Sequence, residues 1–204
     1  MKKVGVALFF LLTVMSISWS QDNYYGRSGM PWNTSPQRVV SVMRNPVIIM
    51  SDTNTVLWLN ENYFGERYNS LIREYGIDRR KNINDILKDN NNLRFTYYSS
   101  IDSYDANINI IFENSYASCE KYDIDIDGLS TIEKTRIYNF LKNRLEREHG
   151  VPTNIRENNV FKTVKWEKYY TDITLELYTA SSGSGSYLWL NSRKSIFKNP
   201  PKMI

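Results

Sequence analysis

The feature of this sequence that most constrains the fold is a strongly specified helix over residues 131–149. Before it, Ser130 and Glu133 have the S-x-x-E spacing of a capping box, in which each side chain satisfies a backbone N–H group of the first turn. A glycine and a proline follow the helix and are typical of a helix end. One apolar stripe recurs every four positions: Ile137, Leu141 and Leu145. The apolar stripe of such a helix is buried against another element. The rest of the chain must therefore form an apolar surface on which this helix packs.

Strand candidates lie on both sides of this helix. Three precede it and three follow it, at residues 93–101, 106–113, 117–126, 160–168, 171–179 and 187–192. The short polar links between the first three are typical of hairpin turns. Residues 171–179 alternate between apolar and polar side chains, as expected of a strand in a sheet with one face in water.

Runs of strands that are separated from helices favour an α+β fold over a parallel sheet. We therefore expect an antiparallel sheet with helices packed on one face. One arrangement of this fold is two tandem helix-plus-meander units, in each of which a helical part is combined with an antiparallel meander of strands. The expected core consists of Ile137, Leu141, Leu145, Ile173, Leu175 and Leu177.

The segment before residue 93 contains shorter elements. Ser35 and Pro36 predict the start of a helix, because serine caps a helix and proline is tolerated in its first turn. Further predicted elements are short strands at residues 47–50 and 56–59 and a helix at residues 64–75. Residues 78–92 are charged and rich in asparagine, with one helical turn at residues 84–88, so we expect an exposed insertion there.

The first twenty residues have the three parts of a cleavable secretory signal peptide. Two lysines come first, residues 4–14 form an apolar run, and Ser18 and Ser20 are small residues at the positions that a signal peptidase inspects. The run is shorter than the roughly 20 apolar residues that a membrane-spanning helix needs. We therefore expect cleavage before Gln21 and a periplasmic or secreted protein without stable membrane insertion; an uncleaved N-terminal anchor is the alternative.

After the signal peptide, composition divides the chain into a lead-in, a domain and a tail. Residues 21–33 are rich in Tyr, Gly, Ser and Pro, which predicts a flexible lead-in, and residues 198–204 are expected to form a loose tail. Residues 34–197 are long enough for one α+β domain with its own core. The halves of this domain would be residues 34–128 and 129–197.

Composition limits the classes of partner and cofactor. Loss of two lysines with the signal peptide lowers the formal charge from +4 to +2, and so small a surplus does not favour nucleic acid as a partner.

Cys119 is the single cysteine, so we expect a buried, inert thiol, with an intermolecular disulfide as the alternative. Trp166 and Trp189 lie in predicted strands, where we expect packing rather than a ligand platform.

A run of alternating aspartates is the motif that most suggests a ligand site. Asp123, Asp125 and Asp127 precede a glycine in the order D-x-D-x-D-G, which matches the start of a calcium-binding loop. The bidentate glutamate that completes such a loop belongs at position twelve, which is Lys134 here. No helix is predicted to enter the loop, since residues 119–126 alternate as a strand does. We therefore expect no calcium site and no cofactor; these aspartates are the candidates if a metal does bind.

Residues for nucleophilic catalysis are scarce. His149 is the one histidine and falls at the end of the long helix, where a cation complements the helix dipole. The sequence lacks nucleophile-elbow, phosphate-loop and dinucleotide-binding motifs. A pair of acidic residues for glycoside cleavage stays open, because such pairing depends on the fold. We expect a non-catalytic protein-binding or scaffolding module; a secreted hydrolase with an Asp/Glu site and a calcium-binding secreted protein are the alternatives.

Residues 33–46 have the sequence NTSPQRVVSVMRNP, which includes Ser35, Val39, Met43 and Pro46. This segment resembles the opening motif of the SmpA/OmlA-like bacterial envelope modules, G-[ML]-[ST]-x-x-x-V with a later apolar residue and G-x-P, although asparagine and arginine replace both glycines. The long helix ends in a second G-x-P, and two helix-plus-meander units resemble the tandem arrangement of β-lactamase-inhibitor-protein-like folds. The resemblance implies a non-catalytic envelope or secreted module that binds another envelope or secreted protein, and it identifies no binding residues.

Overall fold

The computed structural model describes residues 31–101, 104–168, 171–180 and 185–195. The predicted signal peptide and tail lie outside the described residues, and so does most of the predicted lead-in. All statements about the structure below refer to the described residues.

The structure contains the predicted helices and strands in the predicted order, with one additional strand after the long helix and with residues 61–75 divided into two helices and a 3-10 turn. The helices are α1 (Pro36–Met43), α2 (Glu61–Phe64), α3 (Tyr68–Tyr75), α4 (Ile83–Asp89) and α5 (Thr131–His149), with a 3-10 turn at Gly65–Arg67. The strands are β1 (Ile48–Ser51), β2 (Val56–Leu59), β3 (Leu93–Ile101), β4 (Tyr104–Glu113), β5 (Tyr116–Ile124), β6 (Asn154–Glu157), β7 (Phe161–Lys168), β8 (Thr171–Tyr178) and β9 (Tyr187–Lys194). Within the described part of the chain, every helix is too short or too polar to cross a bilayer.

The described strands form one nine-stranded sheet in the order β2-β1-β3-β4-β5-β9-β8-β7-β6. Every neighbouring pair is antiparallel, including β5 and β9, which join the strands before α5 to the strands after it. The predicted fold class, α+β with an antiparallel sheet and packed helices, is confirmed.

Helix α5 covers one half of this sheet. Its capping box is present: Ser130 Oγ accepts a hydrogen bond from the Glu133 N–H group at 3.3 Å, and Glu133 Oε2 accepts one from the Ser130 N–H group at 2.9 Å. Its apolar stripe packs on strands β8 and β9 in one cluster with Trp166. The predicted core is confirmed, because all six residues are buried: Ile137, Leu141, Leu145, Ile173, Leu175 and Leu177.

A second core cluster lies under α1 and α4. Its central side chains come from both helices and from β1, β3 and β4: Val39, Ile49, Ile86, Leu87, Phe95, Ile110 and Phe112. Ile108 on β4 packs against this cluster and also against the cluster under α5. Since Ile108 alternates with its strand neighbours, both clusters lie on the same face of the sheet, which we call the core face.

Residues 78–92 are not an exposed insertion, contrary to the prediction. They contain α4, which begins with a capping box between Asn82 and Asp85. Ile86 and Leu87 are only 2% and 4% exposed and belong to the core. The sequence carries a signal for this helix, because Ile83, Ile86 and Leu87 have the i, i+3, i+4 spacing of an apolar helix face. The prediction included one helical turn at residues 84–88, but the surrounding charged and asparagine residues led to the expectation of exposure.

The predicted lead-in also ends earlier than residue 33. Trp32 is buried, and its Nε1 atom donates a hydrogen bond to Thr171 Oγ1 at 2.7 Å. The backbone N–H group of Asn33 donates to the Ala117 carbonyl at 3.3 Å. A large aromatic side chain with a satisfied N–H group therefore fastens the start of the domain to β5 and β8.

Helices α2 and α3 lie on the face of the sheet that is opposite to the core face. Leu59 and Ile48 are cross-strand partners on the face opposite to Ile49, and both border the same cleft as Leu71 of α3. The ring of Tyr63 on α2 lies 5.1 Å from that of Tyr98, which also points away from the core face. The α2–α3 segment thus covers the second face of the sheet at its β2 end, so, contrary to the prediction from the sequence, the helices are not all packed on one face.

Candidate functional site

The central strands β4, β5, β9 and β8 present polar and aromatic side chains on the face opposite to the core. We call this surface the open face; its residues alternate along each strand with core residues. Its members are Asn107, Asn109, Lys121, Asp123, Thr174, Glu176, Tyr178, Tyr187, Trp189 and Asn191. Cross-strand pairs connect them, and the pairs place Asp123 on one side of Trp189 and Glu176 on the other.

Three aromatic rings stack in a row on the open face. The ring centroids of Tyr187 and Trp189 are 3.8 Å apart with an interplanar angle of 16°, and those of Tyr178 and Tyr187 are 5.4 Å apart at 26°. We call these residues the aromatic stack. Tyr187 and Trp189 are two positions apart on β9, and Tyr178 is the cross-strand partner of Tyr187. Because the rings face one another, the row presents ring edges to the solvent.

Trp189 is held by two further contacts. The Lys121 Nζ atom lies 3.3 Å from the Trp189 ring centroid, a cation–π contact, and the Trp189 Nε1 atom donates a hydrogen bond to Asp123 Oδ1 at 2.8 Å. Burial lowers the pKa of Lys121, and the nearby Asp123 carboxylate acts in the opposite direction. Since Tyr187 and Lys121 are both too close to share one side of the indole, they occupy its two faces. A sugar ring therefore has no free face of Trp189 to stack on.

A recess of about 410 Å³ adjoins the aromatic stack at the end of β5. The residues that line it include Asp105, Asp123, Asp125 and Asp127 beside Tyr187 and Trp189. Strand β5 ends at Ile124, and the Asp127 N–H group then donates to Asp125 Oδ1 at 3.0 Å in an Asx turn. The structure thus brings the three predicted aspartates to one recess and adds a fourth from β4.

These aspartates are not arranged as a metal cage. Within the described ranges, no group of three or more His, Cys, Asp or Glu residues lies close enough to hold a metal ion. Asp123 is engaged by Trp189, and Asp125 accepts its hydrogen bond from the following turn. Lys134, at position twelve of the calcium motif, is buried in α5.

The recess also lacks the environment of a catalytic acid. A general acid of the glycosidase type is a carboxyl shielded by apolar side chains, whereas Asp105, Asp125 and Asp127 are exposed.

His149 lies at the end of α5, with its Nε2 atom 3.7 Å from Glu148 Oε2. Cys119 is half-buried, and burial raises the pKa of its thiol to about 11, so the thiol is protonated at neutral pH.

Trp189 packs against Tyr187 and Lys121, but on a different face of the sheet from Trp166. Trp166 is fully buried, but Trp189 is only half-buried and lies on the open face. The signal for this was present in the sequence: Leu188 and Leu190 are core residues, and the residue between them must point to the other face of the sheet.

Comparisons with protein-family models, with curated proteins and with solved structures found no match.

Proposed function

We propose that this protein is an exported, non-catalytic module of the bacterial envelope, periplasmic or secreted, that binds another protein through its open face. The observation that carries the proposal is the aromatic stack, with Trp189 held between Tyr187 and Lys121 on a surface of β-strands. Tyr and Trp are enriched at protein interfaces and carry much of the binding energy there.

The open face is suited to binding because its side chains are already ordered. Tyr178, Tyr187 and Trp189 are half-buried against one another, so binding costs them little conformational entropy. Desolvation by its neighbours raises the pKa of Tyr187, with Glu176 and Tyr178 contributing further, so its hydroxyl keeps its proton. Charged residues of both signs flank the stack and would select the partner by complementary charge.

The export part of the proposal rests on the first twenty residues, which have the charged, apolar and small-residue parts of a signal peptide. The resemblance of residues 33–46 to SmpA/OmlA-like modules supports an envelope destination. N-terminal sequencing of the protein recovered from cell envelopes should find Gln21 as the first residue. Recovery of an intact Met1 in the membrane fraction would contradict the proposal.

Capture experiments with an envelope extract test the binding part. The mature protein should retain a specific partner, and Trp189→Ala should lose it, since that change removes the indole that Tyr187, Lys121 and Asp123 hold in place. Phe140→Ala is the matched control, because Phe140 is an exposed aromatic residue on α5, away from the open face.

A second variant separates loss of binding from loss of folding. Asn107 is exposed on the open face beside Asp123, and Asn107→Arg adds bulk and charge there without removing a contact of the stack. This variant should fold as the wild type does and still capture less partner. Equal capture by the wild type, Trp189→Ala and Asn107→Arg would exclude the open face as the interface.

A further inference from the structure

A cleft of about 630 Å³ lies at the β2 end of the sheet, between α3 and the β1–β2 hairpin. Its volume is in the range of small-molecule and peptide sites. Most of its wall is apolar and comes from both sides of the cleft: Ile48, Met50, Val56, Leu59, Phe64 and Leu71. Among the described residues, it shares no lining residue with the recess beside the aromatic stack, so the cleft is separate from the proposed open-face interface.

Two opposite charges border this apolar wall. Arg67 and Glu74 both line the cleft, and neither takes part in an ion pair among the described residues. They are seven residues apart along one helical stretch, which separates them by about 10 Å at about 1.5 Å per residue. Leu71 lies between them. The cleft thus has one cationic end, one anionic end and an apolar middle.

Polar side chains also line the cleft along its length. Tyr98 contributes a phenol, and burial, followed by the nearby Tyr63 and Tyr75, raises the pKa of that group, so it stays a hydrogen-bond donor. Asn54 contributes a side-chain amide from the hairpin turn. An amide and a phenol can bond the N–H and C=O groups of a peptide backbone.

We propose that this cleft binds a short apolar peptide with free termini, about three residues long. An extended peptide spans about 3.3–3.6 Å per residue, so three residues bridge the separation of Arg67 and Glu74. The peptide carboxylate meets the Arg67 guanidinium, whose planar donors suit a carboxylate, and the ammonium meets Glu74. A fatty acid fits less well, because it would place an apolar end beside Glu74 without a counter-charge.

Calorimetry on the mature protein with trileucine tests the proposal. Trileucine with free termini should bind, and the N-acetylated, C-amidated peptide should bind at least about tenfold more weakly, since each blocked end loses a charge-assisted contact. Arg67→Gln should weaken binding of free trileucine but not of the C-amidated peptide. Glu74→Gln should weaken binding of free trileucine but not of the N-acetylated peptide.

Arg73→Gln is the matched control, because Arg73 is an exposed arginine on α3, directly after the 3-10 turn that contains Arg67, and does not line the cleft; this variant should bind as the wild type does. Equal affinity for free and blocked trileucine, or no binding of either, would overturn the proposal. Binding of decanoate in preference to trileucine would also overturn it and identify an anionic amphiphile as the ligand. None of these outcomes depends on the aromatic stack.

Discussion

Trp189 and Asp123 are joined across the β5–β9 pair by a hydrogen bond of 2.8 Å from the indole Nε1 atom to the carboxylate Oδ1 atom. This bond orients the indole at the β5–β9 pair, where the strands before α5 join the strands after it. Asp123→Ala should lower the free energy of unfolding by about 1 kcal/mol, the usual net value of one hydrogen bond. Asp123→Asn keeps a carbonyl acceptor and should lose less. Urea unfolding followed by tryptophan fluorescence gives both values, and identical stability of Asp123→Ala and the wild type would show that the bond is not formed in solution.

Leu141 lies at the centre of the contact between α5 and the sheet. Leu141→Ala should lower the free energy of unfolding by about 2–5 kcal/mol, because it leaves a cavity in a buried cluster. Ile132→Ala on the same helix is the control: Ile132 is 82% exposed, so its change should stay within about 0.5 kcal/mol. Comparable shifts of the urea midpoint in the two variants would mean that α5 presents another face to the sheet.

Ile86 tests whether residues 78–92 belong to the core. The structure buries its side chain beneath α4, so Ile86→Ala should cost about 2–5 kcal/mol of unfolding free energy. Lys88→Ala, at an exposed position of the same helix, should have almost no effect. Equal, negligible effects on thermal unfolding would restore the interpretation of this segment as an insertion.

Glu157 makes stability depend on pH. The Lys142 Nζ atom donates a hydrogen bond to Glu157 Oε1 at 2.8 Å, and the Tyr138 hydroxyl donates one to the same atom at 3.1 Å. The bond from Lys142 is the main cause that lowers the pKa of Glu157 below 4.5. A lowered folded-state pKa gives stability that is present above the unfolded-state pKa and lost as the pH falls through the folded-state pKa. Below pH 4.5 the wild type should therefore lose stability more steeply than Glu157→Gln. Parallel pH profiles of the urea midpoint would contradict this.

Calcium should not bind at the aspartate recess. Asp123 is held by Trp189, Asp125 caps the following turn, and a buried lysine occupies the position of the bidentate ligand. A calorimetric titration of the mature protein should show no site tighter than about 100 μM, near the range of the weaker extracellular calcium modules. A tighter site that disappears in Asp125→Ala would mean that the loop rearranges around the ion.

Local patterns in the sequence determined the elements whose signals lie within a few residues. The capping box and the glycine and proline that follow defined the full extent of Thr131–His149, and alternation marked the strand predicted at residues 171–179, which the structure has at Thr171–Tyr178. Strand β6 was missed, because all of its residues are exposed on an edge strand and no alternation marks them.

The candidate site depended on contacts between distant parts of the chain. Lys121 meets Trp189 only because β5 pairs with β9, and Arg67 and Glu74 share a cleft with Ile48 only because α3 covers one end of the sheet. Capping and alternation act over one helical turn or two strand positions, so they set which residues form helices and strands and which side each faces. Strand pairing and helix placement reduce the apolar surface that the whole chain exposes to water. Because this depends on every part of the chain at once, only the tertiary structure decided which surfaces came together.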